Sequence, residues 1–246
     1  MIVTKQGQDR NKPAATIGFW AALLTAVLNL WFFLAFVPAQ PILVAPWQGL
    51  AAYTASFQPL PFLAWIVPCF FLAPMILIMM TCLHTWAQKE KQTWSLLALV
   101  FAVVYTTLLS ANYYIQMTVV QHHLVTGTTD GLSLWLYAYH YPYNIPGALE
   151  AVGYGFVCVS FLCAAQVFGK GKLQHWVRWT FMGTALTGLV LPIDPLFRLP
   201  LVPELVDGAA YALLGILAPA LLALLFRRSK DSIVAVAQGN TGMSSF

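Results

Sequence analysis

Of 246 residues, 60% are hydrophobic and 8% are charged, roughly a third of the about 25% a soluble domain carries. That balance excludes a water-soluble globular protein and predicts an integral membrane protein in which apolar runs leave no stretch for a separate soluble core. The net charge of +4 is dispersed over several short segments, so nucleic-acid binding has little electrostatic basis.

A bilayer core about 30 Å thick takes about 20 apolar residues at 1.5 Å each. Runs of that kind fall at residues 17–38, 61–86, 93–119, 145–168, 177–197 and 204–226, which predicts an all-α bundle of six transmembrane helices. The first run is full length and leads into the rest of the fold, so it is expected to be retained rather than cleaved as a signal. Residues 1–228 are expected to form a single domain, and the polar stretch 229–246 a disordered tail.

Basic residues give an independent reading. Lys5, Arg10 and Lys12 precede helix 1, Lys89 and Lys91 separate helices 2 and 3, Lys170, Lys172 and Arg178 separate 4 and 5, and Arg227, Arg228 and Lys230 follow 6. With six crossings all of these fall on one side and only Arg198 on the other. Because positive charge in short loops is retained in the cytoplasm, both termini are expected there.

The outer loops carry a different chemistry. Loops 41–60 and 120–144 lack Lys and Arg but hold Trp47, Tyr53, Trp135, Tyr137, Tyr139, Tyr141 and Tyr143, rings suited to the headgroup level, and are expected to cover the helix ends. The aromatics read as membrane attachment or as a ligand-binding cage.

Polar side chains within a span are costly and are candidates for function. In helix 3, Tyr105, Asn112 and Gln116 share one face, with Tyr113 and Tyr114 beside them. Helix 4 opens with Asn144 as N-cap and Pro146 in its first turn, and Glu150 lies about 9 Å further in. Tyr154 lies one turn beyond Glu150, while Gly147 and Gly153 leave room for a neighbouring helix. Glu150 is expected to partner Asn112, Gln116 or Tyr113, either as interhelical glue or as a functional acid.

Asp194 and Arg198 are positioned to pair across the proline-broken end of helix 5. Glu204 and Asp207 suit the positive end of the helix 6 dipole, and Asp207 with Tyr211 could extend the Glu150 cluster. Acids concentrate in the outer half, so a polar site there, walled by helices 3 to 6, suits a cation, an amine or a proton.

Other chemistry lacks a pattern. His122, His123 and His140 form no metal-ligand spacing, the four cysteines read as small core residues, and neither a metal nor a cofactor is expected. His84 and His175 form no haem-holding pair. No nucleophile elbow, P-loop, dinucleotide fingerprint or intramembrane aspartate pair is present, and Ser110 and Ser160 lack a His or Lys at a helical offset.

Two stretches, Asn112-Tyr113-Tyr114-Ile115-Gln116 and Leu149-Glu150-Ala151-Val152-Gly153-Tyr154, together resemble an uncharacterised family of bacterial six-helix multi-pass membrane proteins. Loop 3 is richer in His and Tyr than that pattern. The resemblance implies an inner-membrane location and carries over no activity.

The expected function is small-molecule or ion binding or transport through a polar site made by Asn112, Tyr113, Gln116, Glu150, Tyr154, Asp207 and Tyr211. Two alternatives stand beside it: a membrane enzyme or lipid-binding protein using Glu150 as acid or base, and a non-catalytic structural or accessory subunit. Expected partners are the lipid bilayer and a small-molecule, cation or lipid ligand.

Overall fold

The computed structural model describes residues 5–43, 48–128, 144–189 and 204–241, with side chains described over 12–38, 48–128, 144–189 and 210–231. The described residues are helical, with no strand among them. In chain order the elements are α1 (Lys5–Leu43), α2 (Leu50–Ser56), α3 (Pro59–Trp86), a short 3-10 turn (Lys89–Lys91), α4 (Gln92–Ile115), a π-helical turn (Gln116–Val120), α5 (Gln121–Thr126), α6 (Ile145–Ala165), α7 (Lys172–Gly188) and α8 (Glu204–Thr241). Five segments are long and apolar enough to cross a membrane: Lys12–Pro38, Pro59–Trp86, Lys89–Thr126, Ile145–Ala165 and Ala210–Asp231. Helix α7 is not among the five. Its 17 residues include Lys172, Gln174, His175 and Arg178, and the apolar stretch that follows lies outside the described residues.

The long helices close into a ring. α1 packs on α3, α3 on α4, α4 on α6, α6 on α7, α7 on α8, and α8 returns to α1. Close approach is made by small residues: Ala14, Ala15, Ala21, Ala22, Thr25 and Ala26 form the buried stripe of α1, and a Cβ added to Gly18 would lie 2.8 Å from Phe226. The opposite stripe of α1 exposes Trp20, Leu24, Val27, Trp31 and Leu34, about half exposed or more. An outside as apolar as the inside is what a lipid-facing helix requires and what water would penalise.

Helix ends sort by chemistry. Trp86 of α3 packs against Phe168 after α6 and against Phe226 of α8, Phe168 packs on Phe181 of α7, and Gly18 of α1 meets Phe226. One end of the ring is therefore plugged by aromatic rings. Lys12, Lys89, Lys91, Lys170, Lys172, Arg178, Arg227, Arg228 and Lys230 lie at or just beyond this plug, so the basic clusters that alternate along the sequence gather at one end in space.

Several boundaries differ from those read in the sequence. Helix 1 starts earlier, at Lys5, and continues past residue 38 to Leu43. The helix expected to stop at Val119 runs on through the π turn and α5 to Thr126, past the end of the long apolar run, until Gly127, at φ 68°, ends it in the left-handed conformation. α6 ends at Ala165 rather than Phe168, and α7 begins at Lys172. α8 continues to Thr241. The loop of residues 41–60 contains α2, whose Leu50 and Tyr53, with Phe57 just beyond it, pack on Val120 and Leu124. It covers that helix end as expected. The aromatic stretch of loop 3, His140, Trp47, Asp194 and Arg198 lie outside the described residues.

The proline break in α8 is met by a polar side chain. Pro219 within α8 has no N–H for the carbonyl four residues earlier, Gly215. Asn29 of α1 supplies that donor, its Nδ2 lying 3.1 Å from the Gly215 oxygen and 3.0 Å from the Thr25 oxygen. Asn29→Ala is therefore expected to lower stability by about 1 kcal/mol. In a Pro219→Ala background, where the backbone N–H is restored, the same substitution should cost less. A double-mutant cycle on thermal unfolding in detergent measures the coupling, and strict additivity would refute it.

Candidate functional site

The polar face of α4 is formed as the spacing predicts. Tyr105, Leu109, Asn112 and Gln116 are all at most 2% exposed and make one stripe toward the interior, with Tyr113 equally buried beside it. Gln116 is the first residue of the π turn, a helical irregularity that recurs at functional sites.

Helix α6 carries the carboxyl. Its first turn is set by Asn144, whose side-chain oxygen accepts the Gly147 backbone N–H at 2.7 Å, with proline in the opening positions. Because α6 ends at the aromatic plug, Glu150 sits in the half of the ring away from the basic residues. It lies within electrostatic reach of Tyr105, Tyr154 and Cys69.

Tyrosines gather near this position. The Tyr113 and Tyr154 hydroxyls are 3.2 Å apart, linking α4 to α6. The Cys69 thiol of α3 lies within hydrogen-bond reach of Tyr113. The Tyr154 ring lies 6.2 Å from Tyr105 and 6.0 Å, edge to face, from Tyr211 of α8. Four helices thus bring a carboxyl, phenolic hydroxyls and a thiol to one place, and at Gly188 of α7 an added Cβ would meet both the Tyr211 ring and the Cys158 sulfur.

Not every expected member faces Glu150. Asn112 instead donates to the Pro146 carbonyl at 3.4 Å, tying α4 to the first turn of α6. Asp207 lies within α8, but its side chain is outside the described residues. The expected wall of helices 3 to 6 gains helix 2, which is α3, through Cys69. All four cysteines are buried and free, and no signal in the sequence separates Cys69 from the others; only the packing of α3 on α4 does.

Other candidates are drawn elsewhere. Ser160 donates to the Ala98 carbonyl at 2.7 Å and His84 is bonded to Ser95 at 2.9 Å, both joining neighbouring helices at a distance from Glu150 along the chain. His122 and His123, at ring separation 5.9 Å on α5, lie beyond the π turn, and His123 is hydrogen-bonded to the Thr128 carbonyl. Among the described residues no three His, Cys, Asp or Glu side chains form a metal-holding group.

Chemically, a half-buried carboxyl close to tyrosines within an apolar ring can exchange a proton or hold a cation. The phenols can orient such a guest through hydrogen bonds or ring faces. Comparison with protein-family models, with curated proteins and with solved structures finds no match.

Proposed function

We propose that this chain is a six-span protein of a bacterial inner membrane, with both termini cytoplasmic, that binds and moves a cation, a proton or a small cationic molecule at Glu150. The likeness of its Asn112–Gln116 and Leu149–Tyr154 stretches to an uncharacterised bacterial family belongs to the same reading. So does the gathering of basic residues at one end, which the positive-inside rule assigns to the cytoplasm.

One observation carries the functional part. Glu150, Tyr105, Tyr113, Tyr154, Tyr211 and Cys69 converge from α3, α4, α6 and α8 in one half of the ring, while Trp86, Phe168, Phe181 and Phe226 fill the other end. A polar cluster backed by an aromatic plug supports a site entered from the non-basic face and closed toward the basic one. Alternating access would then require the plug to part.

The test uses the full chain reconstituted in proteoliposomes on a solid-supported membrane, with concentration jumps of protons, sodium, potassium and tetraethylammonium. A current for at least one of these is expected, and Glu150→Gln should reduce it at least tenfold, because the amide keeps the shape and removes the charge. Correct folding of the variant is checked by its unfolding temperature in detergent. No current for any of the four probes, or equal currents from both proteins, would sink the reading and leave Glu150 as interhelical glue.

A further inference from the structure

The start of α7 carries an outward stripe that the cation site does not use. Lys172, Trp176, Trp179 and Leu186 recur at helical spacing and all face away from the bundle, with Trp176 56%, Trp179 54% and Leu186 60% exposed. The stripe passes from charge through indoles to an aliphatic side chain over about 21 Å at 1.5 Å per residue. That order matches a phospholipid, whose phosphate, glycerol region and acyl chain succeed one another over a comparable depth.

Charge around the stripe selects the headgroup. Lys170 is exposed in the glycine-flanked turn before Lys172, and His175 packs against both indoles at ring separations of 6.4 and 6.1 Å. Arg178, on the flank of the stripe, is half-buried, and its Nε is shielded from solvent with no hydrogen-bond acceptor among the described residues. The neighbouring helix α8 adds Arg227, Arg228 and Lys230, all exposed. Glu90 and Asp231 oppose them, and Asp9 lies in α1 at the same end.

We infer that the face of α7 between Lys170 and Leu186 is a docking site for one anionic phospholipid. Its phosphate is taken by Lys170, Lys172 and Arg178, its glycerol region lies on Trp176 and Trp179, and an acyl chain runs along Leu186. A zwitterionic lipid fits the indoles and the leucine equally well, so the basic residues alone account for the preference. The proposal is independent of any role for Glu150.

Native mass spectrometry of the full chain in mild detergent tests it, with dioleoyl phosphatidylglycerol and dioleoyl phosphatidylcholine added separately. Wild type should retain phosphatidylglycerol at least tenfold more tightly. The triple variant Lys170→Gln, Lys172→Gln, Arg178→Gln should bring the two lipids level. Trp176→Ala with Trp179→Ala should weaken both lipids alike and keep their ratio. If loss of the half-buried Arg178 prevents folding, Lys170→Gln with Lys172→Gln, both fully at the surface, should still reduce the preference at least threefold. Equal retention of the two lipids by wild type overturns the inference, as does a preference that this double variant leaves unchanged.

Discussion

Gly188→Val is expected to destabilise the bundle by about 3 kcal/mol, at the upper end of what overpacking a close-packed interior typically costs. A Cβ at position 188 would lie 2.5 Å from Cε2 of Tyr211 and 2.6 Å from Sγ of Cys158. Neither neighbour can yield as a flexible chain end would. The Tyr211 ring is held edge-on by Tyr154, and Cys158 is fully buried on α6. Relief therefore requires α7 to move away from α6 and α8 together. Valine adds two further methyl groups in the same space. Gly215→Ala is the control, because an added Cβ there meets its nearest atom at 3.7 Å and gains up to about 1 kcal/mol of helix propensity. Unfolding temperatures in detergent check both, and a Gly188→Val protein as stable as wild type would mean that the ring closes differently around Tyr211.

Part of the site is legible in the sequence and part is not. Tyr105, Asn112 and Gln116 could be assigned to one face because polar residues stand out against apolar neighbours at a fixed helical period, and that face is buried as read. Asn144 and Pro146 announce a helix start through capping chemistry, which is local, and the cap forms. Which helices adjoin is not local. In lipid the outward face is as apolar as the inward one, so no hydrophobic stripe tells α1 to meet both α3 and α8; only its small residues hint at it. Cys69 joins the tyrosines through packing alone. The π turn at Gln116–Val120 carries no composition signal, since it reflects a residue more than the α register accommodates rather than any residue type. Without it the apolar run alone ends the helix seven residues early, at Val119, and leaves His122 and His123 in a loop.

Tyr105→Ala is expected to cost about 3–5 kcal/mol, the range for emptying a buried aromatic site in a protein interior. Tyr105 is 1% exposed at the start of the α4 stripe, and its ring lies 6.2 Å from that of Tyr154. Truncation removes the wall against which Tyr154 stands and leaves a void beside Glu150, because the helices on either side are held by the rest of the ring. Tyr105→Phe keeps that wall and the ring contact with Tyr154 and removes only the hydroxyl, so it should stay within about 1 kcal/mol of wild type. The pair separates scaffold from site. If the ring serves only as packing, Tyr105→Phe changes stability slightly and cation currents not at all. If its hydroxyl borders a guest held by Glu150, the phenylalanine protein unfolds near the wild-type temperature and yet its currents change in size or in the cation preferred. Parallel unfolding and current measurements on the two variants read this directly, and a stable Tyr105→Ala protein would contradict the packing on which both outcomes depend.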